Sequence, residues 1–249
     1  MTGNVIEAVG VVAVLGKGAG AVRALKGVSL SLACGELTLL MGPSGSGKTT
    51  LLSVLGGMLR PTQGTVRVLG RSITEASNGD LARIRREHIG FVFQSYRLFP
   101  TLNAVDNVRV ALDVRGEPAA RAIAKASDML ANVGLAHKMN AFPHQLSGGE
   151  QQRVAIARAI VGDASAILAD EPTGSLDSEN GHGVMTLLAR IAKDPARGVL
   201  VVTHDLRTLP FADRMVRMED GRILDETSDI AADIRAGQVH DRAEWYQPA

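Results

Sequence analysis

Leu37-Thr38-Leu39-Leu40-Met41 runs without a break into Gly42-Pro43-Ser44-Gly45-Ser46-Gly47-Lys48-Thr49-Thr50, and Leu51, Leu52, Leu55 and Met58 then recur at helical spacing until Arg60-Pro61. A strand, a glycine loop and a helix in that order form a phosphate cradle. The glycines let successive backbone N–H groups curl inward, and the helix adds its positive N-terminal end. Lys48 is placed to reach the β and γ phosphates of a nucleotide, and the Thr49 hydroxyl to reach Mg²⁺, which takes hard oxygen ligands. Gly42 through Thr50 are thus the candidate nucleotide-binding residues.

Around this loop the rest of the chain reads as alternating α and β. Strands are predicted at Val5 to Val14, Val28 to Leu32, Leu37 to Met41, Ile89 to Phe93, Ala166 to Ala169 and Val199 to Val202. A hairpin is predicted from Arg214–Met218 and Arg222–Leu224, joined at Asp220-Gly221. Helices are predicted at Lys48 to Met58, Asn103 to Val114, Ala119 to Val133, Gly149 to Val161 and Gly181 to Ala192. The block between residues 95 and 160 is helical where its flanks are not, so it reads as an inserted subdomain. No internal repeat is present.

The bulk properties remove several classes of function. Of 249 residues, 45% are apolar and 21% charged, which suits a globular protein. Lys plus Arg number 27 against 26 acidic residues, so no basic patch for nucleic acid shows in the net charge. Cys34 is the single cysteine, which rules out an internal disulfide or a thiolate zinc site and fits a reducing cytoplasm. The first apolar run precedes the first basic residue, the reverse of a secretory signal, and no stretch of about 18 apolar residues exists to span a membrane. If the chain works at a membrane, another chain supplies the channel.

Three further stretches carry chemistry. Asp170 closes the strand Ile167-Leu168-Ala169, where its carboxylate faces the phosphates and holds the metal through water. Glu171 is placed to take a proton from a water attacking the γ phosphate. Gln94, at the end of its strand, has an oxygen for Mg²⁺ and an amide to orient water. Leu146-Ser147-Gly148-Gly149-Glu150-Gln151 satisfies the S-x-x-E capping box of a helix start. The box leaves its two glycines unexplained; a bare backbone approaching an anion would explain them, with Ser147, Gly148, Gly149 and Glu150 clasping a γ phosphate.

In their order and spacing these motifs resemble the ATP-binding cassette of ABC transporters, over Val5 to about Glu226. The resemblance implies an α/β P-loop NTPase with a RecA-like core, an N-terminal antiparallel β subdomain and a helical subdomain at about 95–160. It forms a single cassette over residues 1–226, followed by a tail at 227–249. It also implies a homodimer closing over two Mg-ATP, with Ser147, Gly148 and Gly149 acting on the nucleotide of the opposite subunit. Ser175-Leu176-Asp177 is similar to the family's interface loop, and His204 to its switch histidine; the other histidines, His88, His137, His144, His182 and His240, read as surface residues. By the same resemblance Tyr96, Leu98, Phe99 and Leu102 receive a cytoplasmic helix of an integral membrane permease, placing the chain on the inner face of the cell membrane. The wording of residues 90–102 and 169–177 is similar to the group containing LolD, MacB, DevA and FtsE, pointing to export, lipoprotein release or mechanotransmission. A soluble family member powering an assembly complex, similar to the cluster-assembly ATPase SufC, is the alternative.

One departure has a consequence. The family usually stacks adenine on an aromatic side chain ahead of the phosphate loop, and no aromatic residue precedes Phe91 here; Leu15 takes that place. An aliphatic contact lacks the flat face that stacking uses. ATP and GTP should therefore be hydrolysed with similar kcat/KM in steady-state assays, and a strong preference for ATP would rule out Leu15 as the base contact.

Overall fold

The computed structural model describes residues 3–230; Trp245, Tyr246 and His240 lie outside the described residues. Along the chain come β1 (Asn4–Leu15), β2 (Val22–Ala33), β3 (Glu36–Met41), α1 (Lys48–Leu55), β4 (Gln63–Val68), β5 (Arg71–Ser72), α2 (Asn78–His88) and β6 (Ile89–Phe93). There follow α3 (Ala104–Asp113), α4 (Ala119–Asn132), α5 (Gly148–Ile160), β7 (Ala166–Asp170), α6 (Ser178–Ala192), β8 (Gly198–Thr203), β9 (Arg214–Glu219) and β10 (Arg222–Thr227). The predicted helix from Lys48 ends earlier than Met58, at Leu55, because Gly56 and Gly57 interrupt it before Pro61 is reached.

Two sheets form. One has the order β2-β1-β4-β5 and is antiparallel; the other has the order β10-β9-β3-β8-β7-β6 and is parallel except for the β9–β10 hairpin. The parallel strands are buried on both faces, which explains their unbroken apolar sequences. Alternate side chains enter different cores. Leu37, Leu39, Met41, Ile167, Ala169, Val199 and Val201 pack on the side of α3, α4, α5 and α6. Leu40, Leu168, Leu200 and Val202 pack with α1 and the antiparallel sheet on the other side. No helix among the described residues is long and apolar enough to cross a membrane.

Arg214 ties the two sheets together. Arg214 is 9% exposed, and its guanidinium donates to Glu36 Oε1 at 2.7 Å, to Glu226 Oε2 at 3.2 Å and to the carbonyl of Ser31 on β2. Removing the cation leaves Glu36 without its counter-charge and the Ser31 carbonyl without this donor. Arg214→Leu should lower stability by about 3 kcal/mol, read as a shift of the urea midpoint, and Arg214→Leu/Glu36→Leu should recover part of that loss.

Candidate nucleotide site

The parallel register decides where the chemistry gathers. Met41 pairs with Thr203, Val202 with Asp170, and Asp170 with Phe93. The next residues along these strands are Gly42, His204, Glu171 and Gln94, so these four predicted positions emerge from one edge of one sheet.

Between β3 and α1 the chain makes the predicted loop. Gly47 stands at the helix N-cap with φ 100°, in the left-handed region, and a side chain there would come within 2.6 Å of the Ala24 carbonyl. Only glycine fits. The hairpin backs the loop: Gly221 donates to the Ser46 carbonyl at 2.9 Å and Lys26 donates to the Gly221 carbonyl at 2.8 Å. Among the described residues, the amides of Gly45, Gly47, Lys48, Thr49 and Thr50 find no backbone or side-chain acceptor, although they line an open cleft of about 340 Å³. Helix α1 has no side-chain cap and no acidic residue in its first turn, so its own sequence does nothing to offset its positive end. An anion satisfies both deficits.

Lys48 is 8% exposed and turns back on the loop, donating to the carbonyls of Gly42 at 2.7 Å and Pro43 at 2.8 Å. Burial holds its ammonium below the usual range, while the charges of Glu171 and Asp170 pull it up. The Thr49 hydroxyl donates to Asp170 Oδ1 at 3.2 Å. Burial raises the Asp170 carboxyl; the bond from Thr49 and the Lys48 charge oppose the rise and the Glu171 charge adds to it. A hydroxyl and a carboxylate in contact, beside an anion site, are hard oxygens that suit Mg²⁺.

Glu171 follows with φ 47°, its amide donating to the Val202 carbonyl at 2.9 Å, and Oε1 lies 2.8 Å from His204 Nδ1. An ionised carboxylate only accepts, so Nδ1 carries the hydrogen in this contact. Gln94 is exposed, and its amide nitrogen lies close to Gly174, in the loop after Glu171. Leu15 and Val22 are register partners across β1 and β2, and both line the cleft, so an aliphatic pair stands at its mouth.

The tip Ser147–Glu150 is not brought to this cleft. Ser147 caps α5, accepting from the Glu150 amide at 3.3 Å, while Glu150 Oε2 accepts from the Ser147 amide at 2.8 Å. Burial works against it, but the Ser147 amide and Lys138 hold the Glu150 carboxyl below its usual range. The glycines have a reason inside the single chain that the sequence reading lacked. A side chain on Gly148 would sit 2.8 Å from the Tyr96 hydroxyl, and one on Gly149 would collide with Asn180 of α6. Their absence of side chains therefore marks close packing before it marks an anion.

The predicted docking residues divide. Phe99 is 48% exposed, Leu98 packs against the core, Tyr96 faces the tip of α5, and Leu102 is half-buried. Two residues that position this segment were not singled out from sequence. Buried Asn107 accepts from the Phe99 amide at 2.7 Å and donates to the carbonyls of Phe99 and Leu102. Arg158, on α5, donates to the carbonyls of Arg97 at 2.7 Å and Tyr96 at 2.9 Å, two consecutive residues of positive φ. Non-glycine residues at positive φ after a strand end are the local sign of such a pinned turn, and they are invisible in composition.

Comparison with known proteins agrees with this geometry. A family model described as ABC transporter matches residues 25–174. The macrolide export ATP-binding/permease protein MacB of Rhodopseudomonas palustris (strain HaA2) is 41% identical over 243 residues, covering 97% of this chain and 37% of that protein. The pyoverdine export ATP-binding/permease protein PvdT of Pseudomonas syringae pv. syringae (strain B728a) is 43% identical over 214 residues, covering 86% of this chain and 32% of that protein. The chain thus spans about a third of the length of these relatives. Among solved structures, the dimeric post-hydrolysis state of the ATP-binding cassette MJ0796 bound to ADP and Pi superposes with a TM-score of 0.82 at 37% identity, covering 90% of this chain and 98% of that one. On this evidence of fold, site and relatives, the chain belongs to the ABC transporter family as one of its ATPase cassettes.

Proposed function

We propose that two copies of this chain close head to tail over two ATP molecules, hydrolyse them, and pass the motion to an integral membrane permease on whose cytoplasmic side they sit. The carrying observation is the row of unpaired amides beside Lys48, at the sheet edge that also presents Asp170, Glu171 and His204. The amides and Lys48 hold the phosphates. Thr49 and Asp170, with Gln94, would hold Mg²⁺, which when bound neutralises charge on the phosphate oxygens. Glu171 accepts a proton from the attacking water while His204, held against it, keeps the carboxylate oriented and meets the γ phosphate. Leu15 carries the base.

Ser147, Gly148, Gly149 and Glu150 act in the second copy. Their absence from the lining of their own chain's cleft supports this, as does the dimeric cassette among the solved structures. The relatives named above are export proteins with cassette and permease in one name, which favours a transport role over a soluble assembly ATPase. Phe99 is the docking candidate that reaches solvent, on a segment fixed by Asn107 and attached through β6 to Gln94.

Glu171→Gln should lower kcat by roughly 10²–10⁴-fold while ATP still binds, and should leave a stable Mg-ATP dimer in size-exclusion chromatography; wild-type turnover would remove Glu171 from its role. Phe99→Asp should abolish nucleotide-driven transport in reconstituted vesicles while the isolated cassette still hydrolyses ATP. Joint loss of both activities would make Phe99 a core residue instead.

A further inference from the structure

The nucleotide cleft is well furnished at its phosphate end and poorly at the other. Lys48, the unpaired amides of the loop and the start of α1 face the phosphates, whereas among the described residues the mouth has Leu15 and Val22 and no aromatic ring. The start of β2 joins the two ends. A side chain on Gly47 would come within 2.6 Å of the Ala24 carbonyl, so Ala24 lies against the phosphate loop, while Val22, two residues earlier, stands at the mouth. Arg23 lies between them and lines the same cleft. The pairing is irregular at this point: Ala13 pairs with Leu25 and Val14 with Arg23, which leaves Ala24 as the extra residue of a bulge. A bulge re-aims the side chains beside it. Arg23 is exposed, and among the described residues its guanidinium has no hydrogen-bond, ion-pair or ring partner. The other charged groups at the cleft are engaged. Lys48 donates to the Gly42 and Pro43 carbonyls, and Asp220, the carboxylate in the lining, holds Lys26 at 2.6 Å.

We propose that Arg23 completes the base site of this cassette: its guanidinium lies flat on the purine of the bound nucleoside triphosphate and supplies the face that the aliphatic pair lacks. The inference rests on the nucleotide-binding role proposed above and adds how the base is held. A guanidinium is planar, delocalised and more weakly hydrated than an ammonium, so it stacks on a ring as well as pairing with anions. The same contact occurs within this chain, where Arg97 lies 4.0 Å over the Phe93 ring. The phosphates do not need the Arg23 charge, because Lys48, the loop amides and the helix start already meet them; the base has only Leu15 and Val22. Stacking uses the face of the ring and not the groups on its edge. Adenine and guanine are therefore gripped alike, in keeping with the similar use of ATP and GTP expected from Leu15.

The test measures binding of Mg-ATP, Mg-GTP and Mg-tripolyphosphate, which has no base, to the full chain by isothermal titration calorimetry, alongside steady-state hydrolysis. Arg23→Ala should raise Kd for both nucleoside triphosphates about fivefold, leave tripolyphosphate binding and the melting temperature unchanged, and raise KM more than it lowers kcat. Arg23→Tyr should restore the nucleotide affinity. Arg23→Lys should restore less than half of it, since an ammonium keeps the charge and loses the plane. An equal loss for tripolyphosphate, or full rescue by lysine, would make Arg23 a phosphate contact, and an unchanged Kd in Arg23→Ala would make it a solvated surface residue. Either result overturns base stacking and leaves the ATPase reading standing. A wild-type chain that binds neither nucleotide overturns the proposed function together with the inference.

Discussion

The site depends on the register of four parallel strands. Because Met41, Thr203, Asp170 and Phe93 end at nearly one level, the residues that follow them begin their loops side by side. A slip of one position in any strand would turn its side chains to the opposite core, and the two cores differ in composition and in the helices they hold. Register is therefore fixed by packing on both faces. The functional edge inherits that precision without needing contacts of its own, and the hairpin at Asp220-Gly221 adds a backbone brace under the glycine loop.

A second joint lies at the start of α5. Tyr96 meets Gly148, Asn180 meets Gly149, and Arg158 holds the turn carbonyls, so the Gln94 turn, α5 and α6 are in contact at one place. A tightly packed junction of this kind transmits displacement because its parts cannot deform separately. Two of its elements lead elsewhere: β6 runs back into the parallel sheet, and α5 presents Ser147 away from its own cleft.

Much of this was legible in the chain, for a physical reason. The parallel strands are apolar runs, the helices α3 to α5 carry clean periodicity, and the glycine loop has a mechanism that fixes its residue types. What escaped has an equally physical cause. Helix α2 buries only Leu81 and Ile84 among charged neighbours, so it shows no stripe, and β4 buries Val66 and Val68 in an otherwise polar segment. Strand β2 begins at Val22, ahead of the predicted Val28, because pairing with the long β1 extends it through polar residues. The packing role of Gly149 requires Asn180, and Leu98 turns inward beside an exposed Phe99; neither is a property of local sequence. Asn107 and Arg158 act on carbonyls, which every residue has, so nothing in the sequence names their partners.

The contacts of Lys48 indicate how the loop would respond to a phosphate. Its ammonium is held by two neutral carbonyls of the loop it serves, partly desolvated and below its usual basicity. A phosphate replaces neutral acceptors with charged oxygens, and hydrogen bonds with an ionised partner are roughly twice as strong. The same phosphate satisfies the unpaired amides of Gly45, Gly47, Lys48, Thr49 and Thr50. The loop is therefore already in the shape that the anion needs, and binding exchanges partners for Lys48 instead of refolding the backbone. The motion proposed above would then arise elsewhere, and the contact of α5 with the Gln94 turn is the candidate place for it.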